Sequence, residues 1–279
     1  MANTLGKAKK QRGKSNSTNR HKQPIPLMIN DIIEQSDLIL EVLDARFIEK
    51  TRHKEIEKRI EGMEKRIIFV LNKSDLVNVR EINRQLEIED IKPHIFFSSR
   101  ERKGTAILRN YIKKEAKKIK KDAVNVGVIG YPNTGKSSLI NVLIGKPSAK
   151  VSSIAGFTKS IQKIKLSKGI YLIDTPGIIT PEEQLSGNRE NSIRNSQIGA
   201  IDWNRIKEPD IVVNSLVKEY PGILEKYYNI NAKGDSETLL EMLGRRLNYL
   251  KRNNIVDETR TAKHILREWQ EGKIRLERF

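Results

Sequence analysis

The sequence predicts an α/β protein: a doubly wound sheet followed by a smaller helical unit. Three observations predict it. Short β-branched and aromatic runs alternate with amphipathic stretches: "DLILEVLD" (37–44), "RIIFVLN" (66–72), "HIFFSS" (94–99), "VNVGVIG" (124–130), "IQKIKL" (161–166) and "GIYLID" (169–174). A glycine-rich loop, "GYPNTGKSS" (130–138), lies between one such run and a helical stretch. Beyond about residue 183 the strand signal stops and only helical periodicity remains.

Residues 1–24 read as a disordered basic arm, carrying Lys7, Lys9, Lys10, Arg12, Lys14, Arg20 and Lys22 with no acidic residue and too little apolar content for a core. Residues 25–182 read as the sheet domain. The first three runs are expected as buried parallel strands. Helix 104–121 is expected to bury Ile107, Leu108, Tyr111 and Ile112 and to expose lysines. "KSSLINVLIG" (136–145) leaves the glycine-rich loop as a helix, and the last two runs form a strand pair.

Residues 183–279 read as a helical domain. Pro209 suits a first helical position. Asp235 caps a helix whose Leu239, Leu243, Leu247 and Leu250 share one side, and Asp257 starts a helix that Gly272 stops. In that last helix Ala262, Ile265, Leu266 and Trp269 follow the amphipathic spacing.

Composition narrows the function. Lys and Arg number 53 against 35 Asp and Glu, a net charge of +18, which favours a polyanionic partner. With no cysteine, disulfides and thiolate metal sites are excluded, and four scattered histidines argue against zinc. No apolar run is long enough to span a bilayer and no secretory or lipidation motif is visible, so a cytoplasmic, membrane-free monomer is expected.

The loop at 130–137 fits G-x-x-x-x-G-K-[ST] in its required strand–loop–helix context. Asn133, Thr134, Gly135, Lys136, Ser137 and Ser138 would cradle phosphates. There Lys136 reaches the β and γ groups and the Ser137 hydroxyl ligates Mg²⁺. "DTPG" (174–177) adds Asp174 toward Mg²⁺ and the Gly177 N–H toward the γ-phosphate, and Thr158 in "AGFTKS" is the expected second hydroxyl ligand. "NKSD" (72–75) reads the base. Asp75 accepts the paired N–H donors that guanine alone offers, Lys73 lays its stem over the ring, and Asn72 ties this loop to the phosphate loop. "SSR" (98–100), at the end of the next strand, supplies Ser98 and places the Ser99 N–H near the guanine oxygen.

The base motif precedes the phosphate motif, the reverse of Ras-type order. New termini opened before "DLILEVLD" would leave every motif at the carboxyl edge of the sheet, where ligands bind. The order NKxD, SA-like, phosphate loop, Thr, DxPG resembles the circularly permuted GTPases of the YlqF/RbgA (YawG-like) type, in an archaeal form. "DAR" (44–46) is similar too, although Ile48 stands near a usual proline, as are "IGAI", "YPGILEKYY" and "GKIRL" in the C-terminal part. The resemblance spans about residues 28–279. It implies a P-loop GTPase that binds GTP and GDP, serves large-subunit ribosome assembly, and carries a helical rRNA-binding domain. The segment after "DTPG" runs straight into that domain, so the switch is expected to bias its position.

Ras-type enzymes place a water-orienting glutamine just after D-x-x-G, but here Ile178 follows. Two residues are candidates to compensate. Asn133 resembles the asparagine of potassium-activated GTPases, where K⁺ would offset charge between the β and γ phosphates. His21 lies where the family carries a catalytic histidine, but in "NRHKQPIP" without the usual Pro-Gly. The rival reading is a GTP-gated RNA scaffold with little or no hydrolysis.

Overall fold

The computed structural model describes residues 25–86, 91–146, 162–174 and 189–276. The basic arm with His21, the loop with Thr158, and Gly177 and Ile178 after the last strand lie outside them, as does the expected domain boundary at 182/183.

Among the described residues, six strands form one sheet in the order β3-β2-β1-β4-β6-β5. They are β1 (Leu38–Asp44), β2 (Arg66–Asn72), β3 (His94–Phe96), β4 (Val124–Ile129), β5 (Gln162–Ser167) and β6 (Ile170–Asp174). All pairings are parallel except that of β5 with β6, the expected strand pair, which is antiparallel and lies at the sheet edge. β1 and β2 run in register from Leu38↔Arg66 to Asp44↔Asn72, so their chemistry-bearing ends lie side by side.

Alternation along β1 explains the two helical layers. Leu38, Leu40 and Val42 face α5 (Thr105–Ile119) and α6 (Lys136–Ile144), through Leu108, Ile112, Leu139, Ile140 and Leu143. Ile39 and Leu43 face α1 (Ile25–Gln35) and α3 (Lys54–Gly62), through Ile29, Ile32, Ile33, Ile56 and Ile60. Short α2 (Ile48–Thr51) and α4 (Val79–Leu86) complete this unit. One expectation on α5 fails: Ile107 is 63% exposed. The buried stripe runs through Leu108, Ile112 and Ala116, and Ile107 sits about 140° from its centre at Ile112.

The helical unit contains α7 (Arg189–Gln197), α8 (Pro209–Glu219), α9 (Ile223–Tyr228), α10 (Ser236–Arg246) and α11 (Glu258–Gln270). Asp235 and Asp257 cap α10 and α11 by accepting from the N–H groups of Thr238 and Arg260. α10 is shorter than expected. The chain leaves the helix at Leu247, and Leu250 instead bridges Val256 in a small antiparallel turn. The core of this unit, around Leu216, Leu239, Leu266 and Trp269, takes in Phe47 and Tyr131 from the sheet unit, so the two units share one apolar cluster.

Candidate functional site

Asn72 is the hub of the site. It ends β2 and is buried, and its side chain reaches both neighbouring motifs. Its Nδ2 donates to the Thr134 carbonyl at 2.7 Å, and its Oδ1 accepts from the N–H and the hydroxyl of Ser99, each at 3.1 Å. The expected tie between base loop and phosphate loop is therefore present. The Ser99 N–H, expected to face a base oxygen, instead donates to Asn72. Gly135 makes the close approach possible: a Cβ there would lie 2.2 Å from Asn72 Nδ2, and the backbone φ is +97°.

The base loop follows as a 3₁₀ turn, Ser74–Leu76. Lys73 precedes it in a left-handed conformation, φ 61°, and its Nζ lies 2.8 Å from Asp44 Oδ2. Burial lowers the Lys73 ammonium, with Asp44 opposing. Ser98 Oγ donates to Asp75 Oδ1 at 2.6 Å and fixes the carboxylate that would read guanine. Burial alone would raise the Asp44 carboxyl, yet Arg46 and Lys73 together hold it well below the usual carboxylate range.

In the phosphate loop the Lys136 ammonium is buried and curls back on the loop. It donates to the carbonyls of Gly130 at 3.0 Å and Tyr131 at 2.7 Å. Burial pushes it down to about 8, against the attraction of Asp174. Ser137 Oγ donates to Asp174 Oδ2 at 3.2 Å. A hydroxyl and a carboxylate at that spacing suit a hard, oxygen-preferring cation such as Mg²⁺. Ser138 is half-buried on the first turn of α6.

The helical unit touches this loop directly. Asn133, at φ 60°, donates from Nδ2 to the Gly199 carbonyl at 2.8 Å. Arg194 on α7 donates to the Tyr131 hydroxyl at 3.2 Å and lies over its ring, 5.5 Å from the centroid, and the same ring stacks on His53 at 4.1 Å. Nothing in the sequence pointed to Tyr131, His53, Arg194 or Gly199 as a contact set, because pairings between distant segments leave no local pattern. "DAR" was visible, but the role of Arg46 was not.

Comparison with known proteins agrees with this geometry. A family profile described as "50S ribosome-binding GTPase" matches residues 125–240. An uncharacterized GTP-binding protein of Methanocaldococcus jannaschii is 40% identical over 91% of this chain and 66% of its own length. The GTPase Grn1 of Schizosaccharomyces pombe is 30% identical over 87% of this chain and 59% of its own. The chain thus spans no more than two thirds of these relatives. The GDP-bound structure of YlqF shares the fold, with a TM-score of 0.64 at 22% identity over 89% of this chain and 96% of that one. With base motif before phosphate motif on one sheet edge, the chain belongs to the circularly permuted GTPase family of the YlqF type.

Proposed function

We propose that the chain binds GTP and GDP at the edge formed by β2, β3, β4 and β6, hydrolyses GTP with Mg²⁺, and acts as a cytoplasmic, monomeric factor on large ribosomal subunit precursors. The observation that carries the nucleotide reading is the Asn72 bridge, which joins the base, SA-like and phosphate motifs. Lys136 would neutralise the β and γ phosphates, Asp75 would accept the guanine edge, and Lys73 would cover the base. Ser137 and Asp174 would hold Mg²⁺, which supplies charge neutralisation when bound, with Thr158 as a further ligand. Gly177 would sense the γ-phosphate.

For ribosomal RNA the support is charge. α5 exposes Lys113, Lys114, Lys117 and Lys118, and Arg252 is exposed beyond α10. Arg245 pairs with Glu241, and Arg246 donates to the carbonyls of Tyr228 and Asn229, so these two are partly committed within the fold. The Ile178 position favours a second reading, a GTP-gated RNA scaffold with little hydrolysis. Multiple-turnover GTPase assays with and without large subunits separate the two, since stimulated turnover is expected of the enzyme and none of the scaffold. Faster turnover in KCl than in NaCl is expected if Asn133 helps hold K⁺, and equal rates would remove that role. Loss of subunit-stimulated turnover in His21→Ala would assign the N-terminal histidine to catalysis.

A further inference from the structure

We infer that Arg46 and the end of α11 form a brace that sets the guanine-reading loop, so that guanine occupancy and the seating of the helical unit are coupled. The inference rests on the nucleotide site proposed above and adds positioning residues at its base end.

The brace is continuous and buried. Arg46 uses its guanidinium in two directions: Nε and Nη2 hold Asp44 Oδ1 and Oδ2 at 3.0 and 2.8 Å, and Nη1 donates to the Trp269 carbonyl at 2.9 Å. The Arg46 and Asp44 side chains are 2% and 1% exposed. Asp44 in turn holds Lys73, whose stem would cover the base in the proposed site. The Trp269 carbonyl lies in the last turn of α11, where it also accepts from the Gly272 N–H at 3.1 Å, and a cation is favoured at that end of a helix. A lysine could keep the ion pair with Asp44, but it could not also span to the carbonyl, because it lacks the planar fork.

A second contact reaches the same loop without Arg46. Gly272, at φ +74°, closes α11 against Leu76 at the end of the base loop, and a Cβ there would meet Leu76 Cδ1 at 2.4 Å. Around these contacts Phe47 packs at 5.8 Å from the Trp269 ring, whose Nε1 donates to the Gln197 carbonyl at 2.9 Å. The end of α11 therefore meets the base loop by two routes, through Arg46 and Asp44 to Lys73 and directly at Leu76. By linkage, whatever orders that loop must also favour docking of α11, to the same extent that docking favours the loop.

Two measurements test this. In the first, GDP, IDP and GTP affinities and GTP turnover are compared for wild type and Arg46→Lys. About tenfold weaker GDP binding, a reduced preference for GDP over IDP, and a raised KM with turnover at saturation retained are expected. Wild-type affinity and base preference in the variant would overturn the inference. In the second, Trp269 emission is followed in a Trp203→Phe background. GDP is expected to change it more than tripolyphosphate, which fills only the phosphate loop. An unchanged emission with GDP, or equal changes with both, overturns the inference even if Arg46→Lys does not fold. A wild type that binds no GDP would remove the underlying site reading as well, whereas normal GDP binding with an indifferent Arg46→Lys removes the brace alone.

Discussion

Lys136 and Glu41 are both buried ionisable residues, and burial displaces each from its ordinary range in a direction that makes a pH experiment decisive. The Lys136 ammonium is pushed down to about 8 by burial. Phosphate must be met by the charged form, so binding above pH 8 should draw in a proton, and GDP affinity should fall as pH rises past that point. Calorimetry in two buffers of different ionisation enthalpy should show proton uptake at pH 9 that shrinks toward pH 7.5. Glu41 is a buried carboxyl on the β1 face that carries Ile39 and Leu43, its Oε1 accepting from the His53 backbone N–H at 2.9 Å. Burial, then the charge of Glu57, push it up to about 8. The folded state thus holds a proton that the unfolded chain loses above about 4.5, so stability should fall as pH rises from there to about 8. Glu41→Gln should flatten that slope and raise the melting temperature at pH 7.5, by the equivalent of about 1–3 kcal/mol. The sequence displayed Glu41 inside an apolar run but could not reveal its partners. Asp75 was different, because a motif of four residues carries its own chemistry. Asp75→Asn should exchange a GDP preference for an XDP preference, measured by competition binding.

Elements were legible in proportion to how local their causes are. β2 matched its expected bounds and the Asp caps of α10 and α11 sat where expected, because strand composition and capping are encoded within a few residues. The end of α10 was not legible, since Leu247 and Leu250 continue the helical spacing while the bridge from Leu250 to Val256 captures the chain. That turn leans on α10 through Gly244, where a Cβ would sit 2.3 Å from Val256 Cγ1 and 2.9 Å from Thr261 Oγ1. An alanine in mid-helix normally gains up to about 1 kcal/mol over glycine. Here overpacking against a buried, branched neighbour should dominate, so Gly244→Ala should destabilise by about 1–2 kcal/mol. Denaturant melts should show Val256→Ala restoring part of that loss when combined with it, as expected of two residues in contact.

For the molecule as a whole, the doubly wound sheet and the permuted motif order were both readable, because six short strands and four motifs leave few ways to place every motif on one edge. The junction between units was not readable, since Asn133 to Gly199, Arg194 to Tyr131 and Arg46 to Trp269 join residues far apart in the chain. The net charge of +18 belongs to this level too, and its consequence is testable apart from the nucleotide. Lys113, Lys114 and Lys117 lie on the exposed side of α5, opposite the stripe that packs on the sheet. If that face lies along RNA phosphates, each lysine displaces about one condensed counterion, and affinity for a ribosomal RNA fragment should fall steeply with salt. Replacing the three lysines by glutamine should weaken RNA binding at low salt and lower the slope of log affinity against log salt by about 2–3. GDP affinity should stay unchanged, because none of the three touches the nucleotide edge. A slope equal to that of the wild type would place the RNA elsewhere on the protein and leave α5 a solvated helix.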